Sequence, residues 1–165
     1  MTAWYDETGL RFECRPDCGA CCTNHDDYAH VYLDGDDAER LATHLGVPME
    51  EFRARWVDRD EDDGRERLRD ESADCTFLDG TRCSVYAARP VQCRTFPFWP
   101  ANLESRRAWS KLSEFCPGID RGRVHTADEI RGQIMNRRAA AAATPERRET
   151  TDATGPVRDP TEDEP

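Results

Sequence analysis

The chain has 165 residues, a net charge of −11, 37% apolar and 35% charged residues, which suits one compact domain with a modest core and excludes a fibrous protein. Its 23 basic residues include a single lysine, Lys111, against 34 acids; this is the balance of a salt-adapted, halophilic-type protein, and such a surface repels phosphate backbones and anionic lipid, leaving nucleic acid and membrane as poor partners. The stretch MTAWYDETGLRFEC has neither the basic flank nor the apolar run of a secretion signal, and no later segment approaches a membrane span, so the expected location is the cytoplasm, where thiols stay reduced.

The first distinctive stretch is CRPDCGACC, which holds Cys14, Cys18, Cys21 and Cys22. Four more cysteines follow, Cys75, Cys83, Cys93 and Cys116. Eight reduced thiols in such a chain point to metal binding rather than to a disulfide framework. Cys14, Cys18 and Cys21 can face one centre from a loop or loose turn, and Cys22 can fill a fourth position, although adjacent side chains are expected to diverge and to serve different ions. The CxxxCxxC spacing is also that of radical enzymes using S-adenosylmethionine, but those need a strand-led barrel of about 250 residues, and only thirteen residues precede Cys14.

Beyond the cluster, Tyr28, His30 and Tyr32 alternate with Ala29, Val31 and Leu33 and predict a short strand. A helix follows, with Asp36 and Glu39 as its cap, Ala38, Leu41, Ala42 and Leu45 as its buried stripe and Gly46 as its stop. VPMEEFRARWV predicts a second helix with Pro48 in its first turn and Phe52 and Trp56 facing inward. DRDEDDGRERLRDE fails the spacing of a calcium loop, since Gly64 falls one place late and Arg69 stands where the bidentate glutamate belongs; a solvated loop is expected.

CTFLDGTRCSVY predicts a hairpin. A three-residue loop, Leu78 to Gly80, sets Cys75 opposite Cys83; a two-residue loop at Asp79 and Gly80 instead pairs Thr76 with Cys83, and the first is preferred. ARPVQCRTFPFWP is irregular yet apolar and should pack against the metal site, with Phe96, Phe98 and Trp99 shielding it. TADEIRGQIMNRRAAAAA opens with a capping box, Thr126 to Glu129, and sets Ile130 and Ile134 on one face of a terminal helix. The fold expected is α+β, a small metal-stabilised domain over residues 1–143 with short strands, a hairpin and about three helices. Residues 144–165 form an acidic tail without apolar periodicity, expected to be disordered.

CRPDCGACC, followed by CTFLDGTRCSVYAARPVQCRTFPF and CPGI, resembles the YkgJ-type cysteine cluster family, a zinc- or iron-chelating domain with the signature CxxxCxxCC. The likeness runs from about Phe12 to Gly122 and implies metal chelation by the cysteines. A related pattern occurs in flagellin lysine methylases, which are longer, so a role in protein modification is a more distant implication. An electron-transfer or redox enzyme is the alternative reading.

The cofactor expected is an iron-sulfur cluster or zinc. The compact triplet plus remote cysteines, with Pro117 after Cys116, tilts the choice toward iron and sulfur, because outside the tight cluster no cysteine pair has the knuckle spacing of structural zinc sites, Cys75 and Cys83 being separated by seven residues. Arg89 and Arg94 flank Cys93 and can either stabilise thiolates or pair with surface acids. Of the histidines, His25 stands near enough to Cys22 to join a second ion; His30, His44 and His125 have no recruiting spacing.

Overall fold

In the computed structural model, which describes residues 2–23, 30–69 and 71–143, secondary structure is carried by three antiparallel strand pairs and a set of mostly short helices. In chain order these are β1 (Leu10–Phe12), α1 (Asp37–Leu45), α2 (Met49–Trp56), β2 (Val57–Arg59), β3 (Glu66–Leu68), β4 (Leu78–Asp79), β5 (Arg82–Cys83), α3 (Val91–Arg94), α4 (Pro100–Leu103), α5 (Arg106–Lys111), β6 (Ile119–His125) and α6 (Ala127–Ala143). The architecture is α+β, and no described helix is long and apolar enough to cross a membrane. The three expected helices are α1, α2 and α6; the short α3, α4 and α5 are additional, one or two turns each where proline and aromatic residues leave no room for longer periodicity.

The ends of the domain meet. β1 pairs with β6, setting Leu10 opposite His125 and Phe12 opposite Ile119 across a bulge. α6 then starts as expected: the Thr126 amide donates to Glu129 Oε2 at 2.7 Å and the Glu129 amide to Thr126 Oγ1 at 3.3 Å. Thr126→Ala is expected to lower stability by about 1 kcal/mol, measured by urea unfolding, because it orphans a first-turn amide.

Four local expectations change. Residues 28 and 29 of the predicted strand lie outside the described residues, and its remainder is an isolated bridge, Tyr32 to Arg67, that lays Val31 and Leu33 beside β3. Asp36 precedes α1 without a capping hydrogen bond; its carboxylate accepts from Arg40 Nη1, and Asp37 takes the amide of Asp34 instead. Pro48 sits one place ahead of α2, not in its first turn. The charge run folds into the β2–β3 hairpin because Val57 and Leu68 are buried opposite each other, while Asp60 ties the loop by accepting from the amides of Asp62 and Asp63. The predicted tail lies outside the described residues.

Buried side chains form two clusters. The first joins α1, α2 and β2–β3 with Phe77 and Val85, around Leu41 and Phe52, and Cys75, Cys83 and Cys93 pack against it. The second joins β1, β6, α5 and α6 around Trp109 and Ile130, with Phe98 stacked on Trp109 and Cys116 among its members. The cysteines therefore approach from both sides of one seam.

Candidate metal centre

β1 delivers the amino-terminal cluster to that seam. Glu13 donates its amide to the Gly118 carbonyl at 3.1 Å, and a Cβ on Gly118 would stand 2.2 Å from the Glu13 carbonyl oxygen, so only glycine lets the Cys14 and Cys116 segments lie this close. Gly19, at φ +62°, turns the chain into a single 3₁₀ turn over Ala20–Cys22. A Cβ there would meet the Thr81 carbonyl oxygen at 2.9 Å, which sets the cluster directly on the hairpin.

The hairpin has a two-residue loop at Gly80 and Thr81, one place later than either loop considered from sequence, so Leu78 rather than Cys75 faces Cys83. Cys75 precedes the ladder and comes to the seam another way: its amide donates to the Cys22 carbonyl at 2.8 Å, and its own carbonyl accepts from the Leu78 amide. α3 supplies Cys93. Gln92 beside it is buried and clamps the neighbouring segment, donating to the His30 carbonyl and accepting from the Tyr32 amide.

All eight cysteines line one cavity of about 100 Å³, walled by apolar groups that include Phe77, Val85, Phe96 and Trp99. Phe98 lies behind this wall in the second core cluster. Cys21 and Cys22, expected to diverge, hold their sulfurs 4.0 Å apart at the end of the 3₁₀ turn, where both line the cavity. Across the cavity the Cys22 thiol also interacts with Cys75 and Cys83, making it the hub of a quartet. Among the described residues, no group of three or more His, Cys, Asp or Glu side chains is drawn in to a ready-made ion cage; the sulfurs share a cavity and hydrogen bonds.

The shared proton orders the thiols. Hydrogen bonding to Cys21, Cys75 and Cys83 holds the proton on Cys22 and pushes its pKa far up. The Cys22 thiol in turn lowers Cys83 to about 6 and Cys21 to about 7, with Arg89 adding to both, and it lowers Cys75 as well. Burial pushes Cys93 and Cys116 up. In the metal-free protein iodoacetamide is therefore expected to label Cys83 readily at pH 7, with labelling lost as pH falls through about 6, and to label Cys22 last; peptide mass spectrometry checks the order.

The two arginines part company. Arg89 Nη1 donates to Cys14 Sγ at 3.7 Å, and its guanidinium lies over the Tyr86 ring at 3.6 Å. Arg94 turns away, donating from Nε to the Arg89 carbonyl and standing 4.0 Å from the buried carboxylate of Asp37. His30 contacts Arg67 and His125 donates to the Phe12 carbonyl, while His25 lies outside the described residues. Two side chains at the seam escaped the sequence reading. Tyr86 carries the Arg89 guanidinium that reaches Cys14, and Arg137 of α6 stacks over Trp99 at 4.7 Å, near Asp34 and Cys93, where burial lowers its pKa. Tyr86 was legible as an aromatic three residues before Arg89; nothing in α6 marks Arg137.

No solved structure matches the chain. A family model does match, over residues 13–117, well over half of the chain. That span runs from just before Cys14 to just after Cys116 and so encloses all eight thiols of the cavity. The chain therefore belongs to the CxxCxxCC family, described as a "putative zinc- or iron-chelating domain".

Proposed function

We propose that this metal-chelating chain holds one tetrahedral ion, zinc or iron, on Cys21, Cys22, Cys75 and Cys83, and that the ion fastens the two core clusters together. The observation that carries the reading is the hub at Cys22. Thiolates around a single zinc at about 2.3 Å stand about 3.8 Å apart at the corners of a tetrahedron, close to the 4.0 Å between Cys21 and Cys22. In a four-iron cluster each thiolate binds its own iron, and the sulfurs stand well beyond that separation. When bound, such an ion supplies a closed crosslink between segments far apart in sequence. The chain's own residues supply the rest: Gly19 permits the close approach, Gln92 and Asp37 fix α3, and apolar groups including Phe77 and Val85 wall the inner side of the cavity.

The second reading is the iron-sulfur cluster expected from the triplet spacing, favoured by one observation: Cys14, Cys18, Cys93 and Cys116 line the same cavity, more sulfur than a single ion uses. Anaerobic purification with metal analysis, acid-labile sulfide and visible absorption separates the two. One zinc or iron per chain without sulfide supports the single ion; brown colour with stoichiometric sulfide overturns it in favour of the cluster. Protein that binds neither overturns both.

A further inference from the structure

Cys14 stands apart from the other seven thiols. It alone among the cysteines lies on the wall between the sulfur-lined cavity and a second, open cleft of about 580 Å³ bounded by residues 13–17, Pro117, Arg121 and Gly122. It is exposed, lies outside the quartet around Cys22, and accepts a side-chain hydrogen bond from Arg89 Nη1 at 3.7 Å. That donor is not a loose surface group. The Arg89 guanidinium stacks on the Tyr86 ring, its Nε donates to the Tyr86 carbonyl at 2.9 Å, and its own carbonyl accepts from Arg40 and Arg94.

Resting on the metal reading above, we propose that Cys14 is a relay thiol, which passes the ion between the quartet and a chelating thiol or nitrogen ligand in the cleft, with Tyr86 and Arg89 as positioning residues that aim its sulfur. The exchange is redox-neutral. As a bond to a quartet sulfur breaks, one to Cys14 forms, and the proton that Cys14 gives up passes to the sulfur released. Exposed Cys21 cannot take this part, since it is itself hydrogen-bonded to Cys22 within the quartet.

The test follows transfer of zinc from the loaded full chain to the chromogenic chelator 4-(2-pyridylazo)resorcinol. Cys14→Ser is expected to keep one zinc per chain while transfer slows by about ten- to a hundredfold. Arg89→Ala should slow transfer in the same direction, and should add nothing further in the Cys14→Ser background, a non-additivity that a merely structural role for Arg89 would not produce. An unchanged transfer rate in Cys14→Ser overturns the relay. Loss of zinc stoichiometry in that variant also overturns it, because Cys14 is then a holding ligand. If the unaltered chain binds no zinc, the metal reading falls first and the relay with it, and the metal analysis of that sample shows which has failed.

Discussion

Cys22→Ser is expected to weaken zinc or iron binding by well over about a hundredfold, given that even residues behind a ligand cost ten- to a hundredfold when lost. Cys22 is the one thiol that interacts with three others, so its removal leaves Cys21, Cys75 and Cys83 without the sulfur that joins them. The oxygen of serine is a harder and far less acidic donor and does not replace a thiolate on such an ion. The apparent binding energy of structural zinc, about 10–16 kcal/mol, matches or exceeds the whole stability of an ordinary domain, so the variant should also unfold at much lower temperature. Metal analysis and thermal unfolding of the anaerobically purified protein measure both effects. Cys116→Ala is the informative contrast: Cys116 lines the same cavity but is buried in the second core cluster and lies outside the quartet, so its loss should lower stability while leaving one ion per chain. Equal metal loss in the two variants would move the ligand set away from the quartet.

Asp37→Ala should destabilise the metal-loaded protein by about 3–5 kcal/mol, the usual cost of stripping one partner from a buried charge pair. Its side chain is fully buried and accepts from the amides of Asp34 and Val91 and from Arg40, with Arg94 at 4.0 Å. Burial raises the carboxyl's pKa against those donors, which shows how little water reaches it. Without the carboxylate, the first amide of α3 loses its partner, and among the described residues the guanidinium of Arg40, whose Nε already lacks a partner there, keeps Asp36 and the Arg89 carbonyl. The damage should extend to the seam, because α3 carries Cys93 and the preceding turn carries Arg89. Urea unfolding of the zinc-loaded protein gives the stability loss, and the rate of zinc transfer from the same sample reports displacement of Arg89.

What the sequence disclosed follows from which interactions are local. The α1 stripe, the Gly46 stop and the Thr126 capping box depend on residues three or four apart, and each stands where periodicity and side-chain chemistry put it. The convergence of eight thiols on one cavity was legible because so many cysteines in a chain of this composition were expected to meet at a shared centre rather than to form a disulfide framework. Register was not legible: DGT permits several loops, and the one adopted is set by contact between Gly19 and Thr81, residues remote in sequence. The same holds for Asp37, an ordinary first-turn acid until Val91 folds onto it. Adjacent cysteines were expected to diverge and to serve different ions; instead the Cys21 and Cys22 sulfurs stand 4.0 Å apart, after a left-handed Gly19 that sets the turn on the hairpin.

The pairing of β1 with β6 has a consequence for biosynthesis. The quartet is complete once the β4–β5 hairpin has left the ribosome, but β1 has no partner until Ile119–His125 emerges much later. On the proposed ligand set a nascent chain would acquire its ion while the amino-terminal strand still hangs free, and β6 with α6 would later close the second cluster over it. Metal limitation during translation would then be felt before the domain is finished, and a culture starved of zinc and iron should accumulate chains with the hairpin open to proteases.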